Sequence, residues 1–145
     1  MLALLQRVRR ASVTVDSEEV GAIGPGLLVF LGLEPEDDRS KGETLIERVL
    51  NYRVFSDEEG RMNRSLRDVS GGLLLVSQFT LAADTRRGLR PSFSSAMPPS
   101  EAEPLFSELY EFAESQHHTV AGGRFGADMQ VELVNDGPVT FTLKI

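Results

Sequence analysis

The sequence of 145 residues contains no cysteine and no tryptophan, and the lack of cysteine excludes disulfide bonds and thiolate metal sites. A formal net charge of -7 argues against indiscriminate nucleic-acid binding, because such affinity comes mostly from cations that neutralise phosphates. No stretch approaches the roughly 18 apolar residues that a membrane span needs, so we expect one soluble domain, residues 1–145.

The first third of the chain predicts strands followed by a helix. Apolar and hydroxyl residues alternate over Ser12–Val15, and the turn residues Gly24–Gly26 precede the continuous apolar run Leu27–Leu33. This pattern indicates a turn that leads into a buried strand. Apolar residues then recur at helical spacing behind an acidic turn, which predicts a first helix over Arg39–Tyr52.

The middle of the chain predicts a second buried strand and a second helix. A turn-rich stretch, Asp57–Asn63, leads towards the apolar strand Leu73–Val76. Ser100 followed by Glu103 has the spacing of a capping box, in which each side chain satisfies an amide at the helix N-terminus. The helix predicted behind this box has one apolar face, formed by Ala102, Leu105, Phe106, Leu109, Phe112 and Ala113.

Two stretches near the C-terminus, Met129–Leu133 and Val139–Ile145, alternate between apolar and polar side chains. This alternation predicts a pair of amphipathic strands, most simply antiparallel, and Asn135–Gly137 between them is a common hairpin-turn signal. Pro138 is less ordinary, because it removes a ladder donor where a strand should begin. Together the elements predict an α/β fold with mixed or antiparallel β-sheets packed face to face and two helices outside.

Few residues carry the usual chemistry of an active site. The only histidines, His117 and His118, follow the second predicted helix, where we expect them to be exposed at the negative end of its dipole. No cluster of carboxylates and histidines has metal-ligand spacing, so we expect no metal. A Ser-His-Asp triad would require one of the two histidines to reach a hydroxyl at a strand end.

Polar residues follow the apolar strand Leu73–Val76 abruptly, since Ser77, Gln78 and Thr80 surround Phe79. Hydroxyl and amide groups at a buried strand end need hydrogen-bond partners, and the carbonyl or ribose of a ligand would provide one. The same residues would also serve as ordinary polar groups of a strand edge. Spacing alone therefore leaves both interpretations open.

Arginines are concentrated in two stretches that contain few or no acidic residues. The stretches contain Arg7, Arg9 and Arg10, and Arg86, Arg87 and Arg90. Such segregation is compatible with a local basic surface on an acidic protein. It is equally compatible with six solvated side chains on unrelated faces.

Five groups of short strings occur along the chain. They are Gln6-Arg7-Val8 with Ala11-Ser12-Val13, Ser77-Gln78-Phe79-Thr80-Leu81, Arg90-Pro91-Ser92-Phe93, Gly126-Ala127-Asp128-Met129, and Asn135-Asp136-Gly137-Pro138-Val139-Thr140-Phe141. In this order and over this length, the chain resembles the D-aminoacyl-tRNA deacylases, formerly called D-tyrosyl-tRNA deacylases. Each string is weakly specific, whereas the whole set is highly specific.

The resemblance implies a homodimeric cytoplasmic hydrolase that needs no cofactor. Members of this family cleave the ester that joins a D-amino acid, or glycine mischarged on alanine tRNA, to the 3'-terminal ribose. The Gly137-Pro138 bond would be cis and would enter the partner subunit's pocket, where it would exclude L side chains. The implied partners are a second copy of the chain and the 3' end of aminoacylated tRNA, with no membrane and no DNA.

The resemblance also implies roles for single residues. The segment Ser77–Thr80 would form the catalytic pocket around the ester and the terminal adenosine, Met129 would contact the adenosine, and Arg7 would brace the Gly137-Pro138 loop. Thr80 would act as a nucleophile only with a base in reach, and the alternative is assistance by the substrate's 2'-hydroxyl. The phosphate contacts near the acceptor end would be Arg86, Arg87 and Arg90.

Three other functions remain compatible with the sequence. A non-catalytic RNA-binding module would bind tRNA without ester turnover, and a general Ser or Thr esterase would hydrolyse small esters without tRNA. A related deacylase with a trans Gly137-Pro138 bond would discriminate chirality less strictly. The amino-acid sequence does not determine the isomer of that bond, the preferred D-amino acid and tRNA, or the role of His117 and His118.

Overall fold

The computed structural model describes residues 1–145 as eight strands, three α-helices and one 3-10 turn. The 3-10 turn, Phe79–Ala82, begins one residue after the end of the sixth strand. No helix combines the length and the apolar character needed to cross a membrane. In chain order the elements are β1 (Leu2–Val15), β2 (Glu18–Ile23), β3 (Gly26–Gly32), α1 (Arg39–Asn51), β4 (Phe55–Ser56), β5 (Met62–Arg64), α2 (Leu66–Val69), β6 (Gly72–Ser77), α3 (Pro99–Gln116), β7 (Val120–Gly122) and β8 (Gln130–Lys144).

One six-stranded sheet is organised around β1. The C-terminal part of β1 pairs antiparallel with β2, its N-terminal part pairs with β3, and β8 pairs with nearly its whole length. The sheet continues through two parallel pairs, β3 with β6 and β6 with β7. Parallel neighbours need crossover connections, and these contain α1 and α3. The short strands β4 and β5 form a separate hairpin.

The two parallel strands in the middle of the sheet, β3 and β6, are buried on both faces. Leu27 and Leu73 belong to a large apolar cluster that α1 and α3 complete, whereas Leu28 and Leu74 belong to a smaller cluster on the other face. A strand that is covered on both faces has a continuous apolar sequence rather than an alternating one. The prediction of two buried strands is therefore confirmed.

The sheet bends so that β2 comes close to β7, with which it forms no ladder. Gly21 of β2 lies so near Gly122 of β7 that a Cβ on Gly21 would collide with the Gly122 carbonyl oxygen. Inside the bend, the smaller cluster joins Val13 of β1 and Ile23 of β2 to Val76 of β6. The predicted α/β class is confirmed, and the packing of sheet on sheet arises from the bend of one sheet.

The first predicted helix is confirmed to within one residue, because α1 ends at Asn51 and Tyr52 is its C-cap. The residue before α1 is Asp38, whose side-chain carboxylate accepts a hydrogen bond from the Lys41 amide at 2.8 Å. This contact satisfies one of the amide groups that have no partner at a helix start.

The second predicted helix is confirmed as α3, but its predicted capping box is wrong. Pro99 is the first helical residue, Pro98 precedes it without a side-chain cap, and Ser100 with Glu103 therefore lies inside the helix. Pro99 has no N–H to satisfy and its ring holds φ near the helical value, so the helix begins there without a polar cap. A complete capping box occurs at Ser65–Asp68, where α2 begins.

The predicted antiparallel strand pair at the C-terminus is also wrong, because β8 is one strand that runs along β1 from end to end. Asn135 pairs with Val8 and Thr140 pairs with Gln6, so both halves of β8 run in the same direction. Residues 136–139 bulge out between these two pairs rather than forming a hairpin turn. The 14 residues of β1 provide one long edge that both halves share.

Candidate active site

A cavity of about 860 Å³ lies at the C-terminal ends of the parallel strands β3 and β6. The 3-10 turn after β6, the loop before α3, the start of α3 and the segment between β7 and β8 complete its walls. The lining residues are Leu31, Leu33, Val76, Ser77, Gln78, Phe79, Phe93, Ser94, Ala96, Met97, Pro98, Pro99, Ala102, Phe125, Gly126, Ala127, Met129 and Val131.

Three of the four residues predicted to be catalytic line this cavity. Ser77 is the last residue of β6. The next residue, Gln78, is held in place because its main-chain N–H donates to the carbonyl of Leu31 at 2.8 Å. Phe79 is 57% exposed, and its ring meets that of Phe93 edge-on with 5.0 Å between centroids. The structure therefore gathers Ser77, Gln78 and Phe79 around one concave site.

Thr80 is not in the cavity wall. Its side chain is exposed, and its hydroxyl oxygen accepts a hydrogen bond from the side-chain amide of Gln78. Phe79 and Thr80 are the first two residues of the 3-10 turn, so their main-chain N–H groups have no carbonyl partner within it. Such main-chain N–H groups are suited to stabilising negative charge on an oxygen bound nearby.

No lining side chain of the cavity is a histidine, a carboxylate, a lysine or an arginine. The expectation that His117 is exposed is wrong, because it is 7% exposed and its Nε2 lies 2.6 Å from the carbonyl oxygen of Gly71. Gly71 precedes β6, whereas Ser77 ends it, so a strand of about 20 Å separates the imidazole from that hydroxyl. This separation excludes a triad that joins His117 to Ser77.

The Gly137-Pro138 loop lies in the bulge of β8 and is held by Arg7 of β1. The Arg7 Nε donates to the carbonyl of Asp136 at 3.1 Å, and its guanidinium also donates to the carbonyl of Val54 at 2.7 Å. The Arg7 side chain is only 12% exposed, and its Nε lies 3.6 Å from the Asp136 carboxylate. Two carbonyls from different segments thus fix one partly buried cation beside the loop.

The other end of this loop is held by Asn135. Its side-chain oxygen accepts from the amide of Val139, and its side-chain nitrogen donates to the hydroxyl of Thr140, each at 2.9 Å. Gly137 and Pro138 are exposed, and the peptide bond between them is cis. Neither residue lines the cavity of its own chain.

The residues predicted to contact tRNA occupy different environments. Met129 lines the cavity and packs against Gly123, where an added Cβ would strike its sulfur. Arg86 is already engaged, because its Nε and one terminal nitrogen donate to the Asp84 carboxylate at 2.9 and 2.7 Å. These contacts hold the pKa of Asp84 well below its ordinary value and raise the pKa of Arg86. Arg87 and Arg90 are exposed and have no carboxylate within 4 Å.

The sequence did not identify most of the apolar lining of the cavity. Phe93 and Phe125 come from separate loops, and Met97 with Pro98 comes from the approach to α3. Phe93 is the last residue of the family string Arg90-Pro91-Ser92-Phe93, and that resemblance implied no role for it. The one local signal was the pair of consecutive prolines, Pro98 and Pro99, which marks the end of a loop and the start of a helix.

Comparison with known proteins gives full-length matches. The family model described as D-Tyr-tRNA(Tyr) deacylase matches residues 4–144. A D-aminoacyl-tRNA deacylase of Azotobacter vinelandii is 66% identical over 144 residues, which are 99% of each chain. A protein of the same name from Pseudomonas putida is 65% identical over 145 residues and covers all of both chains.

Two solved structures have the same fold over nearly the whole chain. One, described as c-Myc DNA Unwinding Element Binding Protein, has a TM-score of 0.95 and 42% identity and covers 100% of this chain and 99% of its own. The other, described as a probable eukaryotic D-amino acid tRNA deacylase, has a TM-score of 0.84. At 17% identity, the second match supports the fold alone.

Proposed function

This chain belongs to the D-aminoacyl-tRNA deacylase family, and on that premise we propose that it hydrolyses D-aminoacyl-tRNA to free tRNA and a D-amino acid in the cytoplasm. The observation that carries the proposal is the apolar cavity bordered by Ser77–Phe79, residues that belong to one of the five family strings. Its volume of about 860 Å³ accommodates a nucleoside with an esterified amino acid.

In the reaction that we propose, the enzyme's side chains take little part in the chemical steps. In the proposed reaction, the substrate's own 2'-hydroxyl assists a water molecule that attacks the ester carbonyl carbon. The amides of Phe79 and Thr80 stabilise the resulting oxyanion, the bond to the ribose 3'-oxygen breaks, and that oxygen takes up the proton that the attacking water loses. A cavity without a titratable side chain supports this assignment, because a hydroxyl nucleophile would need an activating base.

Chiral discrimination is assigned to the loop Gly137-Pro138 of a second copy of the chain. The loop is exposed, is fixed from below by Arg7 and lies outside its own cavity, so it is available to enter the cavity of a partner. A rigid main-chain corner at that position would exclude an L side chain on steric grounds. Glycine has no side chain, and the enzyme would therefore also release glycine mischarged on alanine tRNA.

The proposed function is tested by comparing ester release from D-aminoacyl-, L-aminoacyl- and glycyl-tRNA with the purified protein. We expect release from the D-aminoacyl and glycyl substrates at rates at least about 100-fold above that of the L-aminoacyl substrate. Equal release of D and L esters would contradict the chiral role of the loop. Tight tRNA binding without release of any ester would indicate an RNA-binding module instead.

Thr80→Ala is expected to retain substantial deacylation. The Thr80 hydroxyl lies outside the cavity and contacts only the side chain of Gln78, and its proposed contribution comes from the main-chain amide, which alanine keeps. We expect kcat within about threefold of the unchanged protein, whereas losing a nucleophile would lower it by orders of magnitude. Complete loss of turnover in a folded variant that still binds tRNA would favour the nucleophile mechanism.

A further inference from the structure

Basic side chains without a carboxylate partner are concentrated in the segments that also supply lining residues of the cavity. Of the fifteen Arg and Lys side chains, only Arg48, Arg53, Arg87, Arg90 and Arg124 have no carboxylate within 4 Å. Three of these five are close in sequence to residues that line the cavity. Two lie in the loop that leads to the lining residue Phe93, and the third directly precedes the lining residues 125–127. A protein of net charge -7 thus exposes unpaired positive charge on segments that border the cavity.

The loop that carries Arg87 and Arg90 has a fixed base. Asp84 and Ser92 exchange two main-chain hydrogen bonds of 2.8 and 3.0 Å, and the Asp84 carboxylate is occupied by Arg86. Arg86 therefore belongs to the base of the loop rather than to its free charge. The intervening residues 85–91 are all exposed.

Phe93 adds an accessible aromatic surface beside these charges. Its side chain lines the cavity and is 43% exposed although it also packs against Phe79, so part of the ring is accessible. Single-stranded nucleic acids are bound by this combination, in which cations follow the phosphates and aromatic rings stack on successive bases. Phe93 thus offers an accessible ring in the cavity wall, on the same loop as Arg87 and Arg90.

We propose that residues 85–93 together with Arg124 bind the single-stranded nucleotides that precede the terminal adenosine of tRNA. The proposal rests on the deacylase function above and extends it from the terminal nucleoside to its 5' neighbours. Phe93 stacks on the penultimate base, and Arg87, Arg90 and Arg124 contact the phosphates on the two sides of the cavity mouth. Arg86 makes no phosphate contact and keeps the loop closed on Asp84.

The test compares two substrates that differ only in these nucleotides, D-aminoacyl-tRNA and the corresponding D-aminoacyl ester of adenosine alone. For the double variant R87A/R90A, we expect KM for the tRNA substrate to rise about tenfold or more with kcat nearly unchanged, and the loss of kcat/KM on the adenosine ester should be at least tenfold smaller. Phe93 also lines the cavity, so Phe93→Ala should lower kcat/KM for both substrates, with the larger loss on the tRNA substrate. Arg61→Ala, which removes an exposed charge from the distant β4–β5 hairpin, is the matched control and should affect neither substrate.

A binding measurement decides the inference independently of turnover. Anisotropy of a labelled acceptor-stem RNA hairpin with a four-nucleotide single-stranded 3' end is measured over a range of salt concentrations. Each lost phosphate contact should reduce the slope of log K against log salt by about 0.7, so R87A/R90A should reduce it by about 1.4 and Arg124→Ala by about 0.7. A blunt-ended hairpin should bind the variants and the unchanged protein equally weakly.

Equal losses on both ester substrates, or an unchanged salt slope in R87A/R90A, would overturn the inference while leaving the deacylase function intact. Absence of ester release by the unchanged protein would instead contradict the proposed function. In that case the comparison of overhanging and blunt-ended RNA still decides whether residues 85–93 with Arg124 bind a single strand.

Discussion

Arg7→Ala is expected to lower kcat/KM for D-aminoacyl-tRNA by about 100-fold or more, because it removes the support of the Gly137-Pro138 loop. Hydrogen bonds from a charged donor contribute about 1.5 to 3 kcal/mol each, and Arg7 makes two, to the carbonyls of Asp136 and Val54. Without the guanidinium, both carbonyls lose their shared partner. A loop displaced by about 1 Å would misplace the ester enough for a loss of this size.

The matched control for this variant is Arg9→Ala. Arg9 also approaches the Asp136 carboxylate, at 3.7 Å, but its side chain is 76% exposed. An exposed ion pair of this kind contributes about 0 to 1 kcal/mol, so the expected loss of kcat/KM is less than about fivefold. Arg7→Lys should recover little of the activity, because one ammonium group does not reproduce the two directions of the guanidinium fork.

Deacylation and thermal unfolding of each variant are measured together. If Arg7 were only a structural residue, Arg7→Ala would lower the unfolding temperature while the folded fraction kept its turnover number and its preference for D over L esters. Loss of turnover or of chiral preference in protein that is still folded at the assay temperature identifies the loop as part of the site.

The parts of the fold that the sequence predicted are those where local pattern and tertiary environment agree. The apolar runs of β3 and β6 indicated strands covered on both faces, and the spacing of apolar residues located α1 and α3. Asn135–Gly137 was misleading, because this triplet favours a hairpin when only its neighbours are considered. Its outcome depends on β1, more than 120 positions away, whose length lets both halves of β8 pair with one edge.

The candidate site also contains residues that their sequence neighbours identify and residues that only the tertiary fold brings together. Ser77 was identifiable because polarity changes abruptly at the end of β6. Phe93 and Arg124 were not, since only the folded chain brings Phe93 and the residues after Arg124 to one cavity. The ion pair of Arg86 with Asp84 also removes one member of a basic stretch that the sequence presents as uniform. Charge counts along a chain do not reveal which cations remain free.

Gly137→Ala is expected to abolish most deacylation of D-aminoacyl-tRNA, by about 100-fold or more, with a smaller effect on stability. Gly137 has a φ of 130°, which L residues rarely adopt, and a Cβ there would lie 2.7 Å from the Val139 side chain and 3.0 Å from the Arg7 guanidinium. Backbone strain of this kind costs about 1 to 3 kcal/mol, and the loop would move to relieve it. Gly60→Ala is the matched control, since Gly60 also has a positive φ, of 78°, but open space around it and no part in the site.

Mixing two inactive variants tests whether the loop of one chain serves the cavity of another. Ser77→Trp would obstruct the catalytic end of the cavity while leaving the loop unchanged, and Gly137→Ala would disable the loop while leaving the cavity unchanged. After the subunits are unfolded and refolded together, half of the dimers would be mixed, and each mixed dimer would contain one site with an intact cavity and an intact loop. Activity should return to about a quarter of that of the unchanged protein if sites are shared across a two-fold dimer. If each site were built within a single chain, every site in the mixture would carry one of the two substitutions, and no activity would return.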